Sequence, residues 1–391
     1  MKSIAILSAV RTPLGAFQGG LASLTAPQLG AAVVREAVAR AGGTAKEVSD
    51  VFLGQVLAAG AGQAPARQAA IDAGLPAAAR CVTLNKVCGS GLEAVLAGAR
   101  SLALGDATIV VAGGMESMSN APFLLPKART GYRLGHQQAV DSILSDGLWD
   151  PYNNLHMGSC AEACARKYGF TREEQDAYAI ESFRRANAAQ QGGKFQGELV
   201  PVAAADGKGT PLLAQDEGPA KVKYDKIPTL RPAFEKDGSI TAANASTLND
   251  GAAALVLAAP ETARQRGLPV LGRLVASAAH AQEPLWFTTA PVIAAQQALA
   301  RAGWKVDDVD LWEVNEAFAV VPLAFRRELR VPAEKLNVHG GAIALGHPIG
   351  ASGARILVTL LAALRDRGLR RGVAAICIGG GEALASCVEV T

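Results

Sequence analysis

Residues 37–42 read Ala-Val-Ala-Arg-Ala-Gly and residues 298–303 read Ala-Leu-Ala-Arg-Ala-Gly, so nearly the same six residues occur twice in one chain. Three further matches follow in the same order, each at a spacing of about 260 residues: 50–54 with 310–314, 90–91 with 352–353, and 108–114 with 373–380. They comprise an acidic turn with an apolar strand, a Ser-Gly pair that begins a helical stretch, and an apolar strand with a glycine turn. The order and spacing predict two similar α/β halves, roughly 1–118 and 272–391.

Strands alternate with helices in each half, which predicts largely parallel sheets covered by helices. Two such halves packed through their helices give a five-layer α-β-α-β-α sandwich, in which matching loops meet near a pseudo-twofold axis. Residues 119–248 lie outside the repeat and are interpreted as an inserted loop domain, with residues 249–271 completing the N-terminal half. A long insertion commonly builds a binding site over a rigid scaffold.

The composition limits the classes of function. Half of the residues are hydrophobic and 19% are charged, so the chain can bury a large core and disorder is not expected. A net charge of +3 argues against nucleic acid as the main partner. The six cysteines show no Cys-x-x-Cys pair, which favours reduced thiols in a cytoplasmic enzyme.

The N-terminal apolar stretch is too short for a signal peptide, and no run approaches the ~18 apolar residues of a membrane span, so we expect no membrane association.

Three residues that carry chemistry lie in glycine-rich turns. Cys88 lies in the stretch Asn-Lys-Val-Cys-Gly-Ser-Gly at 85–91, and His347 lies in Gly-Gly-Ala-Ile-Ala-Leu-Gly-His-Pro at 340–348. Cys377 precedes three consecutive glycines. Glycine allows a backbone to approach a ligand closely. The three turns therefore predict a nucleophile, a base and a second acid/base group at one small site.

Cys88 precedes a helical pattern, and the positive end of a helix dipole is expected to lower the pKa of its thiol. His347 is the best candidate for the base that takes its proton. The alternative interpretation of Cys88, and equally of Cys377, is a small buried hydrophobic residue.

Gly379 begins a run of glycines whose backbone N–H groups could form an oxyanion hole. Asn315 follows an apolar strand and could orient a water or donate to an oxyanion, or it could cap a helix.

Other patterns are weaker. His156, Cys160 and Cys164 lie on one face of a predicted helix, but an i, i+8 pair lies ~12 Å apart, so we expect no metal site. Basic residues at 127–133, together with Lys221, Lys223 and Lys226, either belong to solvated loops or contact an anionic ligand, and the sequence leaves both open.

At these motifs the chain resembles the thiolase family, specifically its acetyl-CoA acetyltransferases, over essentially its whole length. The matching stretches are Leu-Asn-Lys-Val-Cys-Gly-Ser-Gly at 84–91, Asn-Val-His-Gly-Gly at 337–341 with Gly-His-Pro-Ile-Gly-Ala-Ser-Gly at 346–353, Ile-Cys-Ile-Gly-Gly-Gly at 376–381, Asn-Glu-Ala-Phe at 315–318, His-Met-Gly at 156–158 and Asn-Ala-Ser-Thr-Leu-Asn-Asp-Gly at 244–251. The resemblance implies the five-layer thiolase fold and a reversible Claisen condensation of two acetyl-CoA to acetoacetyl-CoA. It also implies no cofactor, with coenzyme A thioesters as substrates, and a place in fatty acid metabolism.

The resemblance also implies a role for each residue of the site. Cys88 would be acylated, with His347 as its base, and Cys377 would remove a proton from the second acetyl-CoA. Backbone N–H groups of Cys88 and Gly379 would hold the tetrahedral oxyanion, and His347 with a water on Asn315 would hold the enolate oxygen.

By the same resemblance the loop domain would cradle coenzyme A. His156 and Ser246 would line the pantetheine channel, and Met157 would limit the acyl pocket, in which Phe287 and Phe318 are also expected. Residues 120–145 would supply the loop that assembles a homotetramer.

Some positions depart from the common family pattern. His339 occupies a position where the family frequently has asparagine, and Thr247 one where it frequently has glycine. Glu382-Ala383 and Phe287-Thr288 each occupy a place where a Met-Gly pair is frequent. These changes bear on the preferred acyl chain, not on the class of reaction.

Several alternatives stay open from the sequence. A broader 3-ketoacyl-CoA thiolase of degradation shares every motif. A cysteine hydrolase could use Cys88, His347 and Asn315, but it would leave Cys377 idle. A non-catalytic acyl-CoA-binding scaffold and a carrier-protein-dependent condensing enzyme are further candidates, although the latter usually has two histidines beside its cysteine.

Overall fold

The computed structural model describes residues 3–203 and 213–391 of the chain, and residues 204–212 of the predicted loop domain lie outside that range. The strands are β1 (Ile4–Arg11), β2 (Gly15–Ala16), β3 (Asp50–Gly54), β4 (Arg80–Leu84), β5 (Ile109–Ser117), β6 (Phe123–Leu124), β7 (Val140–Asp141), β8 (Trp149–Asp150), β9 (Leu155–His156), β10 (Asn249–Ala258), β11 (Gly272–Ala281), β12 (Leu311–Val314), β13 (Arg371–Ile378) and β14 (Glu382–Val390). The α-helices are α1 (Ala26–Arg40), α2 (Pro65–Asp72), α3 (Ser90–Leu104), α4 (Met157–Tyr168), α5 (Arg172–Gln191), α6 (Pro260–Gln265), α7 (Ala290–Ala302), α8 (Val320–Leu329), α9 (Ala342–Leu345) and α10 (Ile349–Asp366).

The strand order confirms the internal repeat. The N-terminal half runs β3-β5-β10-β1, with β4 outside β3, and the C-terminal half runs β12-β13-β14-β11. Each of these four strands therefore has a counterpart at the same place in the other half, and β4 is an additional strand of the N-terminal half. The two halves join where β1 pairs with β11, over the short register from Ile4 opposite Leu274 to Ile6 opposite Gly272.

The prediction of largely parallel sheets was wrong. Only the pairs β3–β4, β3–β5 and β12–β13 are parallel among the described strands, and the other pairs of the large sheet are antiparallel. Helices cover both faces, so even antiparallel strands such as β10 and β13 are buried along almost their whole length and are mostly apolar, a pattern that usually indicates a parallel strand. The three glycines at 379–381 also permit a tight hairpin, which needs no crossover helix.

The five predicted layers are present. One hydrophobic cluster joins the outer helices α1 and α2 to the N-terminal part of the sheet, and another joins α7 and α8 to the C-terminal part. A third cluster contains α3 and α10, which lie between the two parts. The two central helices therefore form the middle layer and carry the turns that precede them into the centre of the molecule.

The repeated Ser-Gly pairs mark the contact between α3 and α10. A Cβ added to Gly353 would lie 2.5 Å from the backbone nitrogen of Leu92, and one added to Gly91 would lie 2.8 Å from that of Ala354. Only glycine allows two backbones to approach so closely. The pair recurs in both halves because each half contributes one helix to this crossing.

One segment, Val87–Leu104, is long and apolar enough to span a membrane, contrary to the sequence-based expectation that no such run exists. The segment is essentially α3, and just over half of it is buried. Its apolar character matches the surroundings of a helix that packs on both halves of the sheet.

The insertion leaves at the end of β5 and returns at the start of β10, where Ser117 pairs with Asp250. Because both ends lie at one edge of the sheet, the segment covers that edge. It contains the ribbons β6–β7 and β8–β9 and the helices α4 and α5, and α4 and α5 lie against the C-terminal half.

Candidate active site

A cavity of about 810 Å³ lies where the insertion covers the two halves. Its floor holds Cys88 from the N-terminal half, with His347 and Gly379 from the C-terminal half, and its walls come mostly from the insertion. The repeat thus brings together residues that are about 260 and 290 positions apart in sequence.

Cys88 lies in a tight turn before α3. The backbone N–H of Gly379 and that of Cys88 itself point to its sulfur. Val87 takes a left-handed conformation, with φ of 46°, which is unusual for a β-branched residue. The turn is held by Ser90, whose Oγ accepts a hydrogen bond from the N–H of Lys86 at 2.8 Å and donates one to the carbonyl of Val87 at 2.7 Å.

The expectation that the helix dipole lowers the pKa of Cys88 was wrong. Burial raises that pKa to about 11, and the two backbone N–H groups offset the effect only in part. In an apolar cavity the cost of desolvating a thiolate exceeds the gain from nearby dipoles. Cys88 is therefore a neutral thiol near pH 7, and its proton must leave when it attacks.

His347 is arranged to accept that proton. Its Nδ1 lies 2.6 Å from Ser352 Oγ, and Ser352 donates its own proton to the carbonyl of Pro348 at 2.9 Å. Ser352 Oγ must then accept from Nδ1–H, which leaves Nε2 with a lone pair. Nε2 is buried without a protein partner. Burial, with a smaller effect of the Arg355 charge, lowers the pKa of His347 to about 3, so the ring is neutral and the Nε2 lone pair is free to accept a proton.

Cys377 and Asn315 lie beneath the floor, not on the cavity wall. The Cys377 side chain is fully buried on β13. Burial raises its pKa well above the usual range, and proximity to Cys88 adds to that rise. Asn315 is fully buried, with both side-chain amide atoms lacking a partner. Buried polar groups without a partner are rare in proteins, so this amide is poised to bind a water or a ligand oxygen.

All five predicted substrate-binding residues line the cavity: His156, Met157, Ser246, Phe287 and Phe318. His156 stacks on Phe234 at 4.7 Å between ring centroids, and Phe318 lies edge-on to Phe234 at 5.9 Å and to Phe287 at 6.4 Å. These rings form a continuous aromatic wall. The sequence analysis did not predict Phe234 as a binding residue, because nothing in its polar, proline-containing sequence context distinguishes it.

Three further residues that hold the site were not assigned a role from the sequence. Asn249 Oδ1 accepts the backbone N–H of His347 at 3.1 Å. Buried Glu116 accepts the N–H groups of Val56, Leu57 and Gly350, and so ties the loop after β3 to the start of α10. Ser352 sets the His347 tautomer. Ser352 and Asn249 both lie inside motifs that the sequence analysis identified, so the sequence did mark them. A motif does not show, however, which of its side chains hydrogen-bonds to the catalytic residue.

The three lysines for which two interpretations were open all line the cavity: Lys221, Lys223 and Lys226. The three lysines are exposed and bring positive charge to a mostly apolar lining, which suits an anionic group at the mouth. Within residues 3–203 and 213–391, no group of three or more His, Cys, Asp or Glu side chains is arranged to hold a metal ion. His156 Nδ1 instead accepts the N–H of Gly158 at 3.0 Å, at the N-terminus of α4.

Residues 4–261 match the family model of the thiolase N-terminal domain, and residues 268–390 match that of the thiolase C-terminal domain. The chain is 52% identical over 387 residues to an acetyl-CoA acetyltransferase of Pseudomonas aeruginosa, with 98% of each chain covered. It is 50% identical over 392 residues to acetyl-CoA acetyltransferase 2 of Arabidopsis thaliana, with 100% and 97% covered. The crystal structure of Acat5 thiolase from Ascaris suum in complex with coenzyme A superposes with a TM-score of 0.95, at 46% identity and full coverage of both chains.

Proposed function

The chain belongs to the thiolase family, and we propose that it is an acetyl-CoA C-acetyltransferase, which condenses two acetyl-CoA to acetoacetyl-CoA and free CoA or runs the reverse thiolysis. The observation that carries the proposal is the shared cavity floor, where the Cys88 thiol, the unpartnered Nε2 of His347 and the N–H of Gly379 converge. The relatives at about half identity, named acetyl-CoA acetyltransferases, support it.

In the first step the Cys88 sulfur attacks the thioester carbonyl carbon and its proton passes to His347 Nε2. The tetrahedral oxyanion accepts hydrogen bonds from the N–H groups of Cys88 and Gly379, which already point to the sulfur. The C–S bond to CoA then breaks, and the imidazolium returns its proton to the CoA thiolate. The products are acetyl-Cys88 and free CoA.

In the second step the Cys377 thiol gives its proton to His347 Nε2, and the resulting thiolate takes a methyl proton from another acetyl-CoA. The enolate oxygen is held by the protonated His347 and by a water on the buried amide of Asn315. The enolate carbon attacks the acetyl-Cys88 carbonyl, and the Cys88 sulfur leaves and takes up the proton from His347, which gives acetoacetyl-CoA. A methyl group beside a thioester is a very weak acid, so the base requires this stabilisation of the enolate. Burial raises the pKa of Cys377, so its thiolate, once formed, is a strong base for the methyl proton.

The lining of the cavity supports a thioester of coenzyme A as substrate. Its aromatic wall, with His156 and Ser246, suits the pantetheine arm, and Met157, Phe287 and Phe318 bound a short acyl group. The lysines at the mouth suit the phosphates. No cofactor or metal enters these steps.

The test first measures acetylation of Cys88 and then measures turnover. Incubation with acetyl-CoA should give a protein acetylated at Cys88 by mass spectrometry, and Cys88→Ala should abolish both the adduct and turnover. Thiolysis should then be measured on acetoacetyl-CoA and on longer and 2-methyl-branched 3-ketoacyl-CoAs. Turnover confined to long chains would contradict the acetoacetyl-CoA assignment, and release of free acetate without condensation would indicate a hydrolase.

We also propose a cytoplasmic homotetramer. All six cysteines are free thiols, as a reducing compartment requires. Within residues 120–145, the large hydrophobic side chains of Phe123, Leu125 and Leu134 expose 66%, 58% and 95% of their surface. Contact with other copies of the chain would cover them.

A further inference from the structure

An ion pair joins the turn that carries Cys88 to the glycine turn that carries Gly379. Lys86 Nζ lies against the Glu382 carboxylate although the two residues are 296 positions apart. Lys86 comes two residues before Cys88, and Glu382 comes directly after the three glycines. The side chains are 26% and 38% exposed and neither lines the cavity, so the pair lies outside the reaction volume.

The two turns otherwise meet where the backbone of Gly89 packs on the side chain of Ile378. A Cβ added to Gly89 would lie 2.4 Å from Ile378 Cδ1, and the N–H of Gly379 points to the Cys88 sulfur. Among the ion pairs of the described residues, Lys86–Glu382 is the one that links these turns. The Cys88 turn also takes a conformation that needs support, since Val87 has a φ of 46°.

Each turn is also held by a hydrogen bond to a residue of its own half of the molecule. The N–H of Lys86 donates to Ser90 Oγ, and the carbonyl of Gly381 accepts the N–H of Gln282 at 2.9 Å. These bonds set the shape of each turn, but they do not set the distance between the turns. That distance decides whether the Gly379 N–H reaches an oxyanion formed on the Cys88 adduct, and a displacement of 1 Å is costly at such a site.

We propose that Lys86 and Glu382 are positioning residues, whose ion pair holds the glycine turn against the nucleophile turn and keeps the Gly379 N–H aimed at the acyl-cysteine oxygen. The proposal rests on the acetyltransferase function. The proposal also assigns a positioning role to Glu382, which lies at one of the positions where this chain departs from the common family pattern.

The experiment compares Lys86→Met, Glu382→Gln and the charge-reversed double variant Lys86→Glu/Glu382→Lys. The readout is the single-turnover rate of Cys88 acetylation at saturating acetyl-CoA, with KM measured separately. Each single variant should lose about three- to tenfold in rate with KM within about twofold, the scale of one partly exposed ion pair. The reversed pair should recover to within about twofold of the wild type. If that protein does not fold, Lys86→Arg, which keeps the charge, should show the same recovery.

The matched control is Lys194–Asp366, another lysine–carboxylate pair that is 43% and 35% exposed and lies away from the cavity. Lys194→Met and Asp366→Asn should leave the acetylation rate unchanged. Equal rates in wild type and Lys86→Met overturn the inference, as does a loss that the reversed pair and Lys86→Arg both fail to restore. A wild-type protein whose Cys88 is not acetylated contradicts the proposed function itself, and that outcome is recognised before any variant is compared.

Discussion

At the scale of single residues, the site pairs a neutral thiol with a neutral imidazole. Burial raises the pKa of Cys88 to about 11 and lowers that of His347 to about 3, so neither group carries charge near pH 7. Proton transfer is then coupled to attack, and no standing thiolate is exposed to oxidation or stray electrophiles. Ser352 makes this possible because it fixes which nitrogen of His347 is free.

The pH dependence of the first half-reaction follows from these two values. An ordinary histidine base would lose activity as the pH falls through about 6.5. A His347 pKa of about 3 means that protonation of the free enzyme removes the base only in much stronger acid. We expect kcat/KM for Cys88 acetylation to stay level from about pH 8 down to about pH 5. A stopped-flow profile that falls with an apparent pKa near 6.5 would contradict the assigned burial of His347.

The two cysteines should be separable by substitution. Cys377→Ala removes the group that accepts the methyl proton but leaves Cys88, His347 and Gly379 in place. Acetylation of Cys88 should continue at close to the wild-type rate, while condensation should fall by about 10²–10⁴-fold, the usual contribution of a general base. Cys387→Ala, which truncates another fully buried thiol on β14, is the control and should retain condensation. Full condensation in Cys377→Ala would mean that Cys377 is not the base of the second step.

At the scale of elements, the crossing of α3 and α10 fixes the positions of Cys88 and His347, because each residue lies in the turn before one of these helices. The crossing depends on Gly91 and Gly353. Glu116 adds a second tie, since its carboxylate accepts the N–H of Gly350 at 2.9 Å in the first turn of α10. Helix packing, and not the local sequence of the turns, therefore sets the distance between the two side chains.

Gly353→Ala tests this crossing. Alanine is intrinsically better in a helix by about 1 kcal/mol, but the added methyl would meet the backbone of Leu92 at 2.5 Å. We expect overpacking to win, with a loss of about 1–3 kcal/mol in the free energy of unfolding and a fall in acetylation rate. Urea denaturation and the acetylation assay measure the two effects. Gly197→Ala, whose added methyl meets nothing within 4 Å, should change neither. A stabilised Gly353→Ala protein would mean that the helices are not in contact there.

At the scale of the whole molecule, the insertion completes a site that the two repeated halves only begin. It leaves and returns at one edge of the sheet, so it can cover the floor residues without disturbing either half. The same insertion carries the exposed apolar side chains of residues 120–145. The proposed binding of substrate and the proposed assembly of copies therefore both assign a role to this one segment of the chain.

The assembly prediction concerns this segment. Leu134→Asp places a charge on a side chain that is 95% exposed in the single chain, so the fold should be unaffected while any interface there is lost. Light scattering should give about four times the 40.1 kDa chain mass for the wild type and a smaller species for the variant. Val270→Asp, an exposed apolar position between α6 and β11, is the control and should keep the wild-type mass. A wild-type protein of single-chain mass would refute the tetramer.

The sequence by itself determined the repeat, the layered fold and the three turns that supply Cys88, His347 and Cys377, because glycine turns, apolar strands and helix starts are local patterns that survive in one dimension. It did not determine strand direction, since a strand buried on both faces is apolar whether it is parallel or antiparallel. Only the tertiary structure decided the pKa direction of Cys88, the tautomer of His347, the orphaned amide of Asn315 and the Lys86–Glu382 pair. Each of these depends on desolvation or contact by residues far away in the chain, and burial is a property of the assembled layers that no short stretch of sequence encodes.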